Sequence, residues 1–341
     1  MAEEVPGVAG VEVTGPQPRV AAWTRVAGSL LELRWASILV VAVALGAYFT
    51  ISNPNFLTSP NLLVIVQFLA GVAIISAGEV MLMICGEIDL SVGQVFALAP
   101  FIMFFTWDAG LPLLVGVVAG LAVSAVVGLI NGLVTVKLRV PSFVTTLGML
   151  FLVSGVTITI SHAFPVQTPE QGTRFAEIMG HNVYADLLWA LAVIAVVQVG
   201  LSYTRWGLYS VAVGGNLVGA REAGVNVNLI KIANFMLCSV LGGFAGTLQA
   251  FRITSIDPTA GGNDIMFRAV AAAVIGGTAL AGGSGTVTGA LIGALVLSIL
   301  LDGFTLQGIN ANTFDIILGA AILIAMILNV YLQRRRQQGA V

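Results

Sequence analysis

Gly86-Glu87-Ile88-Asp89-Leu90-Ser91-Val92-Gly93 is the stretch on which the fold of this chain depends. It places two carboxylates and a hydroxyl between two glycines, with a long apolar run on either side. Glu79 adds a further acid inside the upstream apolar run. Acidic side chains are costly in a membrane, and they mark a path or a functional site rather than face lipid. The octapeptide is therefore the first candidate for such a site.

The composition predicts an integral membrane protein. Of the 341 residues, 58% are hydrophobic and 9% are charged, and the mean hydropathy is +1.00. A soluble domain carries about 25% charged residues. The net charge of −2 points to no nucleic-acid partner. Cys85 and Cys238 both lie in apolar segments without metal-ligand spacing, so we expect them to pack as small apolar residues.

Ten apolar segments predict membrane-spanning helices, since a helix needs about 20 residues to cross the hydrocarbon core. They cover about 35–51, 61–85, 88–107, 111–136, 142–160, 184–203, 232–251, 265–281, 285–302 and 313–332. The third and the ninth begin with glycine-rich segments, so each is either a full span or a broken or re-entrant helix. The expected fold class is an all-α polytopic membrane protein with one transmembrane domain over 35–332.

The segments outside these spans set the expected orientation. Residues 1–34 predict a cytoplasmic disordered tail followed by an amphipathic helix on the membrane surface, and 333–341 form a basic tail. With both termini in the cytoplasm, every basic residue except Arg174, Arg252 and Arg268 falls on the cytoplasmic side. That bias satisfies the positive-inside rule. The longest inner connection is then 204–231.

Helix packing and gating are the two roles expected for glycine. Pairs spaced by four residues let helix backbones approach closely, and they occur at Gly116/Gly120, Gly242/Gly246 and Gly289/Gly293.

The octapeptide has two interpretations that are compatible with each other. Its glycines permit a break that lines a path or forms a gate. Alternatively, Asp89 or Ser91 caps the third span, and Glu87 complements its dipole.

Motifs for enzymes and metal sites are missing from the sequence. Neither of the two lysines, Lys137 and Lys231, follows the glycine pattern of a phosphate-binding loop, so we expect no ATP site on this chain. His162 and His181 have no neighbouring ligands at zinc spacing, and we expect no metal. No nucleophile, base and orienting group can be assembled, so we expect no catalytic residues.

The octapeptide resembles the GGIDLSVG signature of ribose-type permeases, the membrane subunits of bacterial ABC importers for monosaccharides. Glu87 stands where the signature has its second glycine. Two further blocks follow the pattern of the same family in the same order. One comprises Arg205-Trp-Gly-Leu-Tyr209, Ala212-Val-Gly-Gly-Asn216, Ala220, Ala223-Gly-Val-Asn-Val227 and Lys231. The other comprises Ala273-Val-Ile-Gly-Gly-Thr278 and Gly282-Gly-Ser-Gly285, then Gly289, Ile292 and Gly293. Only about residues 1–34 lie outside the resemblance.

The resemblance implies a type II ABC importer in the bacterial inner membrane. Two permease copies, identical or different, would each dock on a cytoplasmic ABC ATPase, and an extracytoplasmic sugar-binding protein would deliver a monosaccharide or a related small polar solute. This chain would bind no cofactor, because ATP and Mg would belong to the partner ATPase. The candidates for a substrate path or a gate are Glu79, Gly86, Glu87, Asp89, Ser91, Gly93, Gly276, Gly277, Gly282 and Gly283.

The connection 204–231 is the expected contact with the ATPase. Gly214-Gly215-Asn216 can cap a short helix over 217–223, and Gly224 can end it. The coupling candidates are Gly215, Asn216, Ala220, Arg221, Glu222 and Gly224. Two other functions remain open from the residues alone. One is a stand-alone channel or proton-coupled transporter with Glu79 and Asp89 as relay carboxylates, and the other is a membrane scaffold without transport.

Overall fold

The computed structural model describes residues 36–310 and part of 313–327. The expected surface helix and tail in 1–34, and the basic tail 333–341, lie outside the described residues. The same is true of part of the tenth predicted span, 313–332, whose described residues are helical.

The described chain is a bundle of helices with one small pair of strands. The helices are α1 (Ala36–Ser52), α2 (Ser59–Ile84), α3 (Val92–Asp108), α4 (Leu113–Lys137), α5 (Ser142–Ile160), α6 (Arg174–Ala176), α7 (Val183–Tyr203), α8 (Arg205–Gly215), α9 (Leu217–Glu222), α10 (Val227–Ile253), α11 (Gly262–Ile275) and α12 (Val287–Leu306). A π-helical turn, Glu177–His181, follows α6. The strands β1 (Val166–Gln167) and β2 (Ser255–Ile256) pair antiparallel.

Six helices within the described residues are long and apolar enough to cross a membrane, namely α2, α4, α5, α7, α10 and α12. Helices α1 and α3 are also apolar but shorter, at 17 residues each. The largely helical, membrane-spanning character expected from the composition is therefore confirmed.

Glycine-rich segments make two helices shorter than expected. The third span begins at Val92 rather than 88, because 85–91 form a turn. The eighth was expected over 265–281, but α11 stops at Ile275, and 276–286 are irregular. That prediction was wrong because the apolar run continues through Gly277, whose positive φ angle ends the helix.

The inner connection is more helical than expected. Helix α8 fills most of its first half, and α10 begins at Val227 rather than at 232. Lys231 therefore belongs to the first turns of α10 and not to a loop. The short helix expected over 217–223 is confirmed as α9, which ends one residue earlier than expected.

Helices α2 and α10 lie antiparallel at the centre of the bundle. The Arg252 side chain donates to the main-chain oxygen of Gln67 at one end, and Asn234 donates to that of Met81 towards the other. Between them, a Cβ added to Gly78 would lie 2.7 Å from the Cα of Cys238, so the backbones are nearly in contact. By contrast, α5 exposes much of its apolar surface.

The close helix approaches predicted at three glycine pairs are confirmed. A Cβ added to Gly116 or Gly120 would lie 2.6 or 2.5 Å from a main-chain oxygen of α3. Gly242 and Gly246 meet the other side of α3 in the same way, and Gly289 and Gly293 meet α11 and the residue that follows it. Helix α3 is therefore held between α4 and α10, with its first turn fixed in the interior.

Candidate functional site

The chain reverses direction after α2 through a glycine turn. Gly86 has φ +75°, a conformation that glycine adopts at little cost. Its N–H donates to Met83 O over 2.9 Å, and the N–H of Glu87 donates to Leu82 O over 3.1 Å. These two bonds form the Schellman arrangement that satisfies the last carbonyls of a helix. The octapeptide therefore contains a break, as its glycines predicted.

Asp89 is the centre of a buried polar network. Its Oδ1 accepts from the N–H of Ser91 at 2.8 Å and from the Ser91 hydroxyl at 2.6 Å. The Asn131 amide of α4 donates to Ser91 Oγ at 2.9 Å and lies 3.3 Å from Asp89 Oδ2. Ser239, midway along α10, donates to the same Oδ2 at 3.2 Å. All four side chains are fully buried, so the turn is joined to two helices.

Of the two side-chain caps predicted for α3, Ser91 is wrong, whereas Asp89 does accept a main-chain N–H, that of Ser91, just before the helix. Ser91 occupies the N-cap position, but its side chain makes no capping bond. Its hydroxyl donates instead to Asp89 and accepts from Asn131. Glu87 was expected to complement the dipole of α3, but it also forms an ion pair with Lys231 in the first turns of α10. Both groups connect helices that are distant in sequence.

Glu79 lies inside α2 and is fully buried. The thiol of Cys238 is 3.5 Å from its Oε1 across the closest approach of α2 and α10. Its Oε2 has no hydrogen-bond partner among the described residues. Glu79 therefore connects α2 to α10 through one of its two oxygens.

The later glycine candidates make their contacts outside the Asp89 network. Gly276 packs on Gly289 in α12. The N–H of Gly283 donates to Ile84 O at 2.8 Å, at the end of α2. A Cβ on Gly282 would lie 3.1 Å from both Ile84 O and Gly214 O. The loop 276–286 is therefore packed where α2 ends, next to the last turn of α8.

The coupling candidates form one compact feature beside that loop. Asn216 caps α9 by accepting from the N–H of Gly219 at 2.9 Å. Gly224, with φ +81°, ends the helix. Ala220 is buried, whereas Arg221 and Glu222 are exposed. Gly215 lies against Gly283. A protein that binds the exposed side of α9 would therefore act close to the end of α2.

The structure adds a second turn that the sequence reasoning missed. Ile256-Asp257-Pro258-Thr259-Ala260-Gly261 matches the pattern of Ile88–Gly93. In both copies, nine residues separate a preceding Ala-Gly pair from the Ile-Asp pair. Asp257 Oδ1 accepts from the N–H of Thr259 at 2.8 Å and from its hydroxyl at 2.7 Å, just as Asp89 does from Ser91. Comparing the chain with itself would have found this signal.

The two turns are related by an approximate two-fold axis. Each follows a long central helix, α2 or α10, and these two helices are antiparallel. Each precedes a shorter helix, α3 or α11. The final glycines of the two turns meet, because a Cβ on Gly261 would lie 3.0 Å from Gly93 O. Contact between equivalent residues is what a two-fold axis produces.

Comparisons with known proteins place the chain among transport permeases. Residues 61–326 match the family described as the permease component of branched-chain amino acid transport systems. The xylose/arabinose import permease protein of Sulfolobus acidocaldarius is 37% identical over 310 residues, covering 87% of this chain and 85% of the relative. The ribose import permease protein of Escherichia coli K12 is 35% identical over 298 residues, covering 85% and 92%. The fructose import permease protein of Rhizobium meliloti is 30% identical over 308 residues, covering 87% and 85%. No solved structure matches the chain.

Proposed function

Because this chain belongs to the family of permease components of branched-chain amino acid transport systems, we propose that it is the membrane subunit of an ATP-driven importer for a monosaccharide or related small polar solute. The observation that carries the choice of solute is its identity of 30–37% with three sugar import permeases over most of both chains. The family name alone would have suggested an amino acid. The chain is an integral protein of the bacterial inner membrane.

We further propose the partners that such a subunit needs. A cytoplasmic ABC ATPase binds ATP and Mg and contacts α9, with Arg221 and Glu222 making the polar contacts. An extracytoplasmic sugar-binding protein delivers the solute. A second permease copy, identical or different, completes the path. Ten spans with both termini in the cytoplasm are part of this proposal, and they put α9 on the side of the ATPase.

Coupling runs from α9 to the end of α2. Closure of the ATPases on nucleotide moves α9 and, through Gly214 and Gly215, the loop that holds Ile84. Five residues beyond Ile84 lies Asp89, which is bonded to α4 and α10. Because Asp89 and Ser91 are fully buried and bonded to each other, we assign them to a gate rather than to the lining of an open path.

The test is uptake by proteoliposomes that contain this chain, its ATPase and its binding protein. We expect ATP-dependent accumulation of at least one of D-xylose, L-arabinose, D-ribose and D-fructose, and none of L-leucine. Accumulation of leucine alone would replace the proposed substrate class.

The same assay distinguishes an ABC importer from a channel or proton-coupled transporter that works without an ATPase. Sugar flux that persists without the ATPase and follows the pH gradient would favour a proton-coupled transporter built on Glu79 and Asp89. Vesicles that contain the ATPase with an unrelated permease provide the background. An ABC permease gives no net accumulation in the absence of ATP.

A further inference from the structure

The turns Ile88–Gly93 and Ile256–Gly261, here called the inner turn and the outer turn, share a pattern but differ in exposure. Asp89 and Ser91 are fully buried in the inner turn. In the outer turn, Asp257 is half-buried and Thr259 is exposed. Residues before the turns are also equivalent, since Gly86 and Thr254 have φ +75° and +56°. The same sequence pattern is therefore buried at the inner turn and partly exposed at the outer turn.

We infer that the two turns are paired gates, with the inner turn closed and the outer turn open in this structure. In transporters built from inverted repeats, access alternates when one repeat moves against the other around a fixed centre. Here the centre is the contact between Gly93 and the Gly261–Gly262 pair. This inference deepens the proposed transport function and rests on it.

The outer turn borders a small cleft. The cleft is lined by Asp257, Ser255 and Gln249 together with Phe96 and Pro100. Its carboxylate, hydroxyl and amide groups can bond a sugar hydroxyl, whereas the Phe96 ring is fully buried. Its volume of about 10 Å³ admits one hydroxyl-sized group, which is too little for a sugar in this state.

The inner turn has an ion pair between Glu87 and Lys231, here called the lock, and the outer turn has no equivalent of it. Glu87 pairs with Lys231 and connects the start of the inner turn to α10. The equivalent residue before the outer turn is Ser255, which has no charge. The ion pair therefore favours the state in which the inner gate is closed. Ala220 of α9 packs with Val227 and Ile230, next to Lys231 in the first turns of α10, so a movement of α9 can reach this lock.

The experiment measures maleimide labelling at equivalent positions of the full complex in proteoliposomes. Ser91→Cys reports the inner gate, and Thr259→Cys reports the outer gate. The native cysteines are buried, and the parent protein gives their background. Without nucleotide, we expect Thr259→Cys to react at least ten-fold faster than Ser91→Cys.

Breaking the lock must shift the two positions in opposite directions. Adding Glu87→Gln is expected to raise labelling of Ser91→Cys several-fold and to lower that of Thr259→Cys. Exchanging the charges with Glu87→Lys and Lys231→Glu should restore both rates. Asp264→Asn, which removes an ion pair within α11, is the control and should change neither. Labelling that rises at both positions, or that does not respond, would overturn the inference.

Transport need not be measured for that result, so failure of the gate and failure of the sugar importer can be told apart. Should Ser91→Cys not assemble, the ATP hydrolysed per sugar imported gives a second measure. We expect Glu87→Gln alone to raise that ratio at normal expression, and the charge exchange to lower it again. An unchanged ratio in Glu87→Gln would count against the lock.

Discussion

At the scale of single residues, the inner turn depends on Asp89, whose two oxygens receive four donors. Burying a carboxylate is costly unless it is bonded, and bonds to charged groups contribute about 1.5–3 kcal/mol each. The donors come from the turn itself, from α4 and from α10. Asp89 therefore fixes the start of α3 by joining three parts of the chain.

Asp89→Asn should destabilise the protein by about 1–3 kcal/mol, because one acceptor oxygen becomes a donor that faces other donors. Thermal unfolding in detergent measures this change. Ser239→Ala removes a single bond to the same carboxylate and should cost about 1 kcal/mol. An Asp89→Asn protein that unfolds at the native temperature would show that the network adds no stability.

A matched exchange tests whether the pattern of donors and acceptors is responsible. Asp89→Asn combined with Asn131→Asp keeps one carboxylate and one amide facing each other. We expect the double variant to recover part of the stability that each single variant loses. Two losses that simply add would mean that the residues do not interact.

The sequence predicted the importance of Asp89 but not its partners. An acid between glycines in an apolar run cannot face lipid, and this was readable from spacing. Asn131 and Ser239 lie 42 and 150 residues away along the chain, in largely apolar segments that give no sign of a contact with the turn. Only the packing of α4 and α10 brings them to the turn. The partnership of Glu87 with Lys231 was hidden for the same reason.

At the scale of helices, glycine determines both where they end and how closely they pack. Helix α3 is held between α4 and α10 because glycines on both neighbours leave room for its backbone. Regular spacing within one segment made these pairs predictable. The start of α3 and the end of α11 were harder to predict, because the apolar run continues through the glycines that interrupt a helix.

Gly246→Ala should separate α10 from α3, because the new Cβ would overlap the main-chain oxygen of Phe96. Overpacking of this kind costs about 1–3 kcal/mol, and thermal unfolding in detergent measures it. Gly148→Ala is the control, since it is also in a helix but has nothing within 4 Å. We expect that change to be neutral or slightly stabilising. Equal losses in the two variants would refute the packing argument.

Gly224→Leu should weaken association with the ATPase. The residue ends α9 at φ +81°, where a side chain costs about 1–2 kcal/mol. The strain displaces the end of α9, which we place in the ATPase contact. Co-purification of the ATPase with the permease measures the effect.

Gly172→Leu supplies the control for that experiment. Gly172 has φ +84° and, like Gly224, has nothing within 4 Å, but it lies in the segment before α6. It should suffer the same strain without loss of the ATPase. Equal loss in both variants would show that general destabilisation, rather than α9, is responsible.

At the scale of the whole molecule, composition was sufficient for the class of fold but not for its symmetry. A chain with 9% charged residues and long apolar runs has few alternatives to a helical bundle in a bilayer. In the sequence, only a short shared pattern indicates the two-fold relation between α2–α3 and α10–α11. The structure supports that relation because the two copies of the pattern meet at Gly93 and Gly261.

Because of the approximate two-fold axis, the two turns must open to opposite sides of the membrane. The orientation of the chain therefore decides which turn opens to the cytoplasm. The positive-inside bias places α9 in the cytoplasm and α6 outside. Arg221 and Arg174 are exposed arginines of these two short helices and provide matched sites. In intact cells, a membrane-impermeant maleimide should label Arg174→Cys, and it should label Arg221→Cys only after permeabilisation. The reverse pattern would mean that the chain has the opposite orientation, so that the inner and outer gates exchange sides. Labelling of both variants in intact cells would mean that the two helices do not lie on opposite sides of the membrane.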